Sequence, residues 1–294
     1  MPTSSKIMIF FSAILIGAAL GSVIGIVIAS AAFNVAPENL NEVLTNPAEG
    51  QSNILMWINN AAQICTFLLP VALYALMFGT NQIRGLKKFP VILVLAAPAI
   101  VFSASGLIDL TSTINHLLIP EGSWLESKLK PAELAAENMV KILLGEGAQQ
   151  YLVLAFFSIT ILPALCEELI FRGVLQPLLS KALSNVHLGI WISAVIFSAI
   201  HFQFYGFLPR VLLGAILGYL VLWSGSLWTA IVAHFANNAI AFWMYKQYGT
   251  TETPDNSMQS EWYFMLSITL LFGALIYWFY KSSKSDGHHI DYTS

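Results

Sequence analysis

The sequence predicts an all-α fold, a polytopic helical membrane protein with about eight transmembrane helices and one amphipathic interfacial helix. Three observations predict it. Of the 294 residues, 57% are hydrophobic and only 10% charged, whereas a soluble domain carries roughly a quarter charged residues. The apolar residues come in runs long enough to cross a bilayer, and the mean hydropathy is +0.71. Aromatic residues stand at run ends, as at Trp262 and Tyr280, where interfacial anchors are expected. The net charge of −3 is small and spread along the chain. It offers no basic patch of the kind nucleic acid needs, so the lipid bilayer is the expected partner and nucleic acid is not. Cys65 and Cys166 lie in apolar segments without a Cys or His at ligand spacing, and are expected as buried thiols.

The first run, Ile7 to Phe33, exceeds the length of a signal-peptide core and lacks a cleavage signature, so it is expected as a retained first span. Its Gly17, Gly21 and Gly25 form a ridge that another helix can approach closely. After the acidic segment 34–52, the second span runs from about Ile54 to Gly79, with Asn59, Asn60 and Gln63 as interhelical hydrogen bonders and a kink at Pro70. A short basic loop with Arg84, Lys87 and Lys88 leads to a third span from Pro90 to about Leu110. The amphipathic helix is expected to start at Pro131 and to carry Leu134, Met139, Val140, Ile142 and Leu143 before Gly145.

Span four begins near Tyr151. Spans five, six and seven are expected over His187–Tyr205, Val211–Trp223 and Leu227–Tyr245, and span eight over Trp262–Tyr280. Thr250–Glu261 reads as a polar acidic loop, and His288 and His289 in the short tail read as solvated. With the amino terminus inside, Lys6, Arg84, Lys87, Lys88, Arg172, Lys181, Lys281 and Lys284 face the cytoplasm. Lys128, Lys130, Lys141, Arg210 and Lys246 then face outward. The positive-inside rule therefore favours both termini cytoplasmic.

Span four carries Glu167, Glu168 and Arg172 inside an apolar stretch. Ionisable groups there are costly and are functional candidates by default. Arg172 lies one helical turn beyond Glu168, so the two can pair, while Glu167 points about 100° away. Span five carries His201 and span seven His234 and Asn238, the last two one turn apart on one face. Each group alone reads more simply as a helix-locking hydrogen bonder. Together they supply a carboxylate base, imidazoles and neutral donors, the residue types of water-activating hydrolysis. At about 1.5 Å per residue His201 lies roughly 20 Å into span five, so helix four is expected to continue past Gly173, bending around Pro177, to near Ser180–Asn185.

The motifs Glu167-Glu168-x-x-x-Arg172, Phe197-x-x-x-His201 and His234-x-x-x-Asn238 resemble those of the CPBP family. That family includes the type II CAAX prenyl endopeptidases (Ras-converting enzyme) and bacterial bacteriocin-processing and self-immunity proteins. The resemblance covers about 151–245 and leaves spans one to three and eight as peripheral parts of a single integral membrane domain over 1–294. It implies an intramembrane endopeptidase in a bacterial inner (plasma) membrane, acting on a peptide or membrane-protein substrate without a metal cofactor. Glu167 would be the general base, aided by His201. His234 and Asn238 would stabilise the oxyanion, and Glu168 and Arg172 would brace the site.

Two rivals stand beside it. Zinc held by Glu167, His201 and His234 is one, although no His-Glu-x-x-His segment is present. A non-catalytic membrane scaffold or immunity protein of the same fold is the other. A transporter would be expected to show repeat symmetry between its halves, and none is evident. Nor does any Gly-x-Ser-x-Gly segment support a serine protease.

Overall fold

The computed structural model describes residues 1–45, 50–249 and 262–285, and among these every regular element is helical. The chain is a polytopic helical membrane protein. Its main helices are α1 (Thr3–Phe33), α2 (Ser52–Phe78), α3 (Val91–Ser103), α4 (Ser105–Leu118), α5 (Trp124–Leu144), α6 (Ala148–Ala182), α7 (Val186–Ala199), α8 (Phe207–Ser224), α9 (Leu227–Tyr248) and α10 (Trp262–Ser285). By length and composition five helices suffice to cross a membrane, and six if α3 and α4, bent by 43°, form one broken span. The expected count of eight is therefore not confirmed. The shortfall is α7, which has only 14 residues, and α9, whose His234, Asn237 and Asn238 dilute an otherwise apolar run. The expected polar loop over Thr250–Glu261 and the tail with His288 and His289 lie outside the described residues.

The described residues form two compact units, and α5, α6 and α9 contribute to both. The first holds Met1–Ile83, Glu137–Ile170 and the chain from Asn238; the second holds Arg84–Ala136, Phe171–Asn237 and α10. Within the first unit the glycine ridge of α1 meets α2 as expected. A Cβ at Gly21 would stand 2.9 Å from the Ala62 Cα, and one at Gly25 the same distance from Ile58 Cγ2. Further along, Ala29, Leu55, Met56, Leu143, Leu144, Phe242 and Tyr245 share an apolar core. Phe156 and Phe242 cross edge-to-face at 5.2 Å there. Lys246 Nζ donates to the Leu144 carbonyl at 2.8 Å, answering one of the carbonyls a helix leaves open at its end. Cys65 and Cys166 are both buried free thiols.

Three prolines shape the long helices. Pro70, Pro163 and Pro177 each follow a π-turn by two residues, the turns being Ile64–Leu68, Phe157–Ile161 and Phe171–Leu175. Proline has no N–H, so each leaves a main-chain carbonyl in the preceding turn without its helical donor. In the first unit Leu69 N–H reaches Ile64 O, and the next carbonyl, Cys65 O, has Pro70 where its donor would be. It lies in the space a side chain at Gly17 would occupy, so only a glycine lets α1 close over it. In the same way Leu162 N–H reaches Phe157 O, and Ser158 O, facing Pro163, accepts from Gln63 Nε2 at 3.2 Å. In the second unit Gly173 O, four residues before Pro177, accepts from the Arg84 N–H at 3.2 Å. The wide turns let α6 run on to Ala182, within two or three residues of the end expected from the depth of His201.

The second unit is centred on α7 and α8, with Ile190, Ala194, Val211, Ala215 and Leu222 in its core. The basic loop is pinned to the start of α9: Leu227 N–H donates to Gly85 O at 2.9 Å, Ser226 Oγ to Lys88 O at 2.6 Å and Trp228 Nε1 to Leu86 O at 3.2 Å.

The amphipathic helix differs from expectation. Helix α5 begins at Trp124, and Pro131 sits inside it. The cause is a capping arrangement at Ser123-x-x-Glu126, a start signal stronger than the proline. Ser123 Oγ accepts from the Glu126 N–H at 3.1 Å, while the Glu126 carboxylate accepts from the Gly122 N–H at 2.6 Å and from Lys130 Nζ at 2.8 Å.

Two predictions follow from these contacts. Replacing Gly17 by Val is expected to lower stability by about 1–3 kcal/mol through overpacking. Gly273→Ala, at a site with open space around it, is expected to change little; thermal unfolding in detergent measures both. Lys130 and then the Gly122 N–H hold the Glu126 carboxyl below its ordinary value. A carboxyl depressed by folding lends its stabilisation above the unfolded pKa and loses it as pH falls through the folded one. Hydrogen-exchange protection at Gly122 is therefore expected to fall on acidification below the ordinary carboxylate range, and protection that persists there would contradict the cap.

Candidate active site

Helix α6 supplies the acidic residues. Glu167 and Glu168 stand on the α-helical stretch Leu162–Ile170, which is bracketed by two of the π-turns. Both are buried, Glu168 completely and Glu167 to 9% exposure, although adjacent carboxylates in an apolar span are among the costliest groups to hold. π-Turns change the helical phase and recur at functional sites. Both glutamates belong to the first unit, as does Asn238 on α9.

Arg172, His201 and His234 belong to the second unit, and there one ring gathers them. Phe197, buried near the end of α7, has the Arg172 guanidinium 4.8 Å from its centroid. The His201 imidazole lies 5.1 Å away and the His234 imidazole 5.9 Å away. Phe171 crosses the same ring edge-to-face at 5.2 Å. An aromatic face attracts a cation, and the planar guanidinium both stacks and donates. Arg172 Nη2 donates to Gly214 O at 2.9 Å, so a charge only 1% exposed has a carbonyl and a π-face to meet it.

One turn on, Gln176 Nε2 donates to Gly218 O at 3.3 Å. Each approach depends on a missing side chain: a Cβ at Gly214 would stand 3.1 Å from Ala194 Cβ, and one at Gly218 only 2.7 Å from Gln176 Oε1. The Gly214-x-x-x-Gly218 spacing is legible in the sequence as a close-approach ridge. Its pairing with Arg172 and Gln176 is not, because that needs the register between two helices.

His201 follows α7 directly. Its Nδ1 lies 2.7 Å from the Phe197 carbonyl. A carbonyl only accepts, so Nδ1 carries the proton and Nε2 keeps its lone pair. The ring is thus held in the tautomer that presents a basic nitrogen. His234 is 4% exposed, on the same helix as Asn238. Among the described residues no group of three or more His, Cys, Asp or Glu side chains is arranged to hold a metal ion.

The fold defines an integral membrane protein, and its buried polar residues concentrate on helices α6 to α9. The family-model match falls on the same stretch. Residues 149–240 match the family model described as type II CAAX prenyl endopeptidase Rce1-like. The matched stretch contains all seven residues named in the three motifs, and it supports membership of the CPBP family. It covers less than half of the chain. A curated relative, the uncharacterized protein YpbD of Bacillus subtilis (strain 168), is 34% identical over 86 residues, 28% of this chain and 41% of that protein. The chain thus spans well under two thirds of the relative it matches. No solved structure matches.

Arg172→Lys is expected to keep the charge but lose the planar stack on Phe197 and the directed bond to Gly214. A drop of about 1–3 kcal/mol in stability is predicted, measured by thermal unfolding in detergent. An unchanged midpoint would show that the guanidinium plane contributes nothing.

Proposed function

We propose that the chain is an intramembrane endopeptidase resembling the type II CAAX prenyl endopeptidases, hydrolysing a peptide bond with a water activated by a glutamate and a histidine. The observation that carries the reading is the gathering of His201 and His234 round Phe197, with His201 Nδ1 committed to a carbonyl. It is joined by a family match that spans every motif residue. The buried pair Glu167 and Glu168 supports it as well, since such carboxylates are retained in a membrane where they serve a function.

In this reading Glu167 accepts a proton from water while His201 Nε2 helps to orient that water. The oxygen attacks the scissile carbonyl. His234 and Asn238 donate hydrogen bonds to the oxyanion that forms. Collapse of the intermediate breaks the C–N bond, and the departing amine takes the proton from Glu167. Glu168 and Arg172 support these groups from the same helix. The substrate class is a peptide or membrane protein. The setting proposed is a bacterial plasma membrane with both termini cytoplasmic.

In a peptide-cleavage assay on the full chain in membranes or detergent, Glu167→Gln and His201→Ala are each expected to lower the rate by on the order of 10²-fold or more. Full cleavage by both variants would remove the hydrolase reading and leave the scaffold or immunity role. Stoichiometric zinc in the purified protein, with chelator-sensitive cleavage, would replace the metal-free mechanism by a zinc-dependent one.

A further inference from the structure

The turn that follows His201 is held by a residue far outside the matched stretch. Residues 200–206 reverse the chain between α7 and α8. Phe202 takes a left-handed conformation there, with φ +54°, which a bulky side chain adopts only where its surroundings enforce it. Just beyond it the chain is bonded by Asn115 on α4, 3% exposed. Its Nδ2 donates to Phe204 O at 2.7 Å and to Tyr205 O at 2.9 Å, and its Oδ1 accepts from the Leu208 N–H at 3.1 Å. Both amide donors are thus spent on two carbonyls of the turn, and the amide acceptor on an N–H in the first turn of α8. The neighbouring His116 ring lies 5.7 Å from the Tyr205 ring.

Three further bonds close the turn from its own side. Ser198 Oγ donates to Phe207 O at 2.8 Å, and the Arg210 guanidinium donates to both the backbone and the side chain of Gln203. At the other end His201 N–H donates to Ser198 O at 3.3 Å and His201 Nδ1 to Phe197 O at 2.7 Å. The imidazole therefore projects from a segment anchored on both sides, by the last turn of α7 before it and by the Asn115 amide after it.

We infer that Asn115 is a positioning residue for His201, clasping the turn behind the imidazole so that Nε2 keeps one direction. Its consequence for rate rests on the proposed hydrolysis; its consequence for the imidazole does not. Loss of the amide frees three backbone groups at once and lets the turn relax. A reacting group displaced by about 1 Å loses rate on the order of 10²-fold.

The test combines two readouts on the full chain in detergent. In the cleavage assay Asn115→Ala is expected to lower kcat by on the order of 10- to 100-fold with KM nearly unchanged. The same substitution placed on His201→Ala is expected to add little, because coupled residues are not additive. A further fall of similar size on that background would mark a merely structural role and overturn the inference. Labelling by diethyl pyrocarbonate, followed by mass spectrometry, reads the imidazole without any activity. Asn115→Ala is expected to change labelling of His201 several-fold and to leave the exposed His187 as an internal reference. Unchanged His201 labelling in a variant that elutes as folded protein would also overturn it. If Asn115→Ala does not fold, Asn115→Asp, which keeps the acceptor for Leu208 and loses the donors, carries the same two readouts. Full activity of Glu167→Gln would dismiss the hydrolase reading alone, and the labelling result would still decide the role of Asn115.

Discussion

Main-chain carbonyls set the terms of this structure. In hydrocarbon an unanswered backbone group costs several kcal/mol, so every break in a spanning helix needs a partner from elsewhere. The sequence places prolines in α2 and α6, and each of Pro70, Pro163 and Pro177 follows a π-turn. Two of the freed carbonyls are met by the Gln63 amide and the Arg84 N–H, and the third, Cys65 O, lies where a side chain at Gly17 would stand. Two of the three breaks bracket the stretch that carries Glu167 and Glu168.

A second demand arises from charge. Arg172 cannot be deprotonated, and it lies almost fully buried. Its solution is aromatic as well as polar, with the Phe197 ring against the guanidinium and the Gly214 carbonyl accepting from Nη2. Phe197 is then also the ring against which both imidazoles rest. An apolar side chain thus organises three of the most polar groups of its unit, and its carbonyl selects the His201 tautomer. Size and a π-face make it suitable; a smaller apolar residue would offer neither.

The match over residues 149–240 agrees with this division of labour. The groups with chemical character lie inside the matched stretch, whereas Gln63, Arg84 and Asn115, which hold that stretch in shape, lie outside it. A helix bundle in lipid has little hydrophobic force between its helices, so close approach and directed hydrogen bonds carry the specificity.

By itself the sequence determined the class of protein, the helical runs and the kinds of polar group buried in them, because hydropathy and periodicity accumulate along a local stretch. It also carried the glycine ridge of α1, the Ser123-x-x-Glu126 cap and the three motifs, all legible as short spacings. Pro131 does not mark the start of α5, because proline is tolerated inside a helix whose cap has already formed upstream. Tertiary structure alone decided that α7 stops at Ala199 and hands His201 to a turn, and that Asn115 secures that turn. It alone set Gly214 and Gly218 opposite Arg172 and Gln176. Such pairings join residues tens of positions apart, and they depend on distances and directions between helices that no local pattern of the chain records.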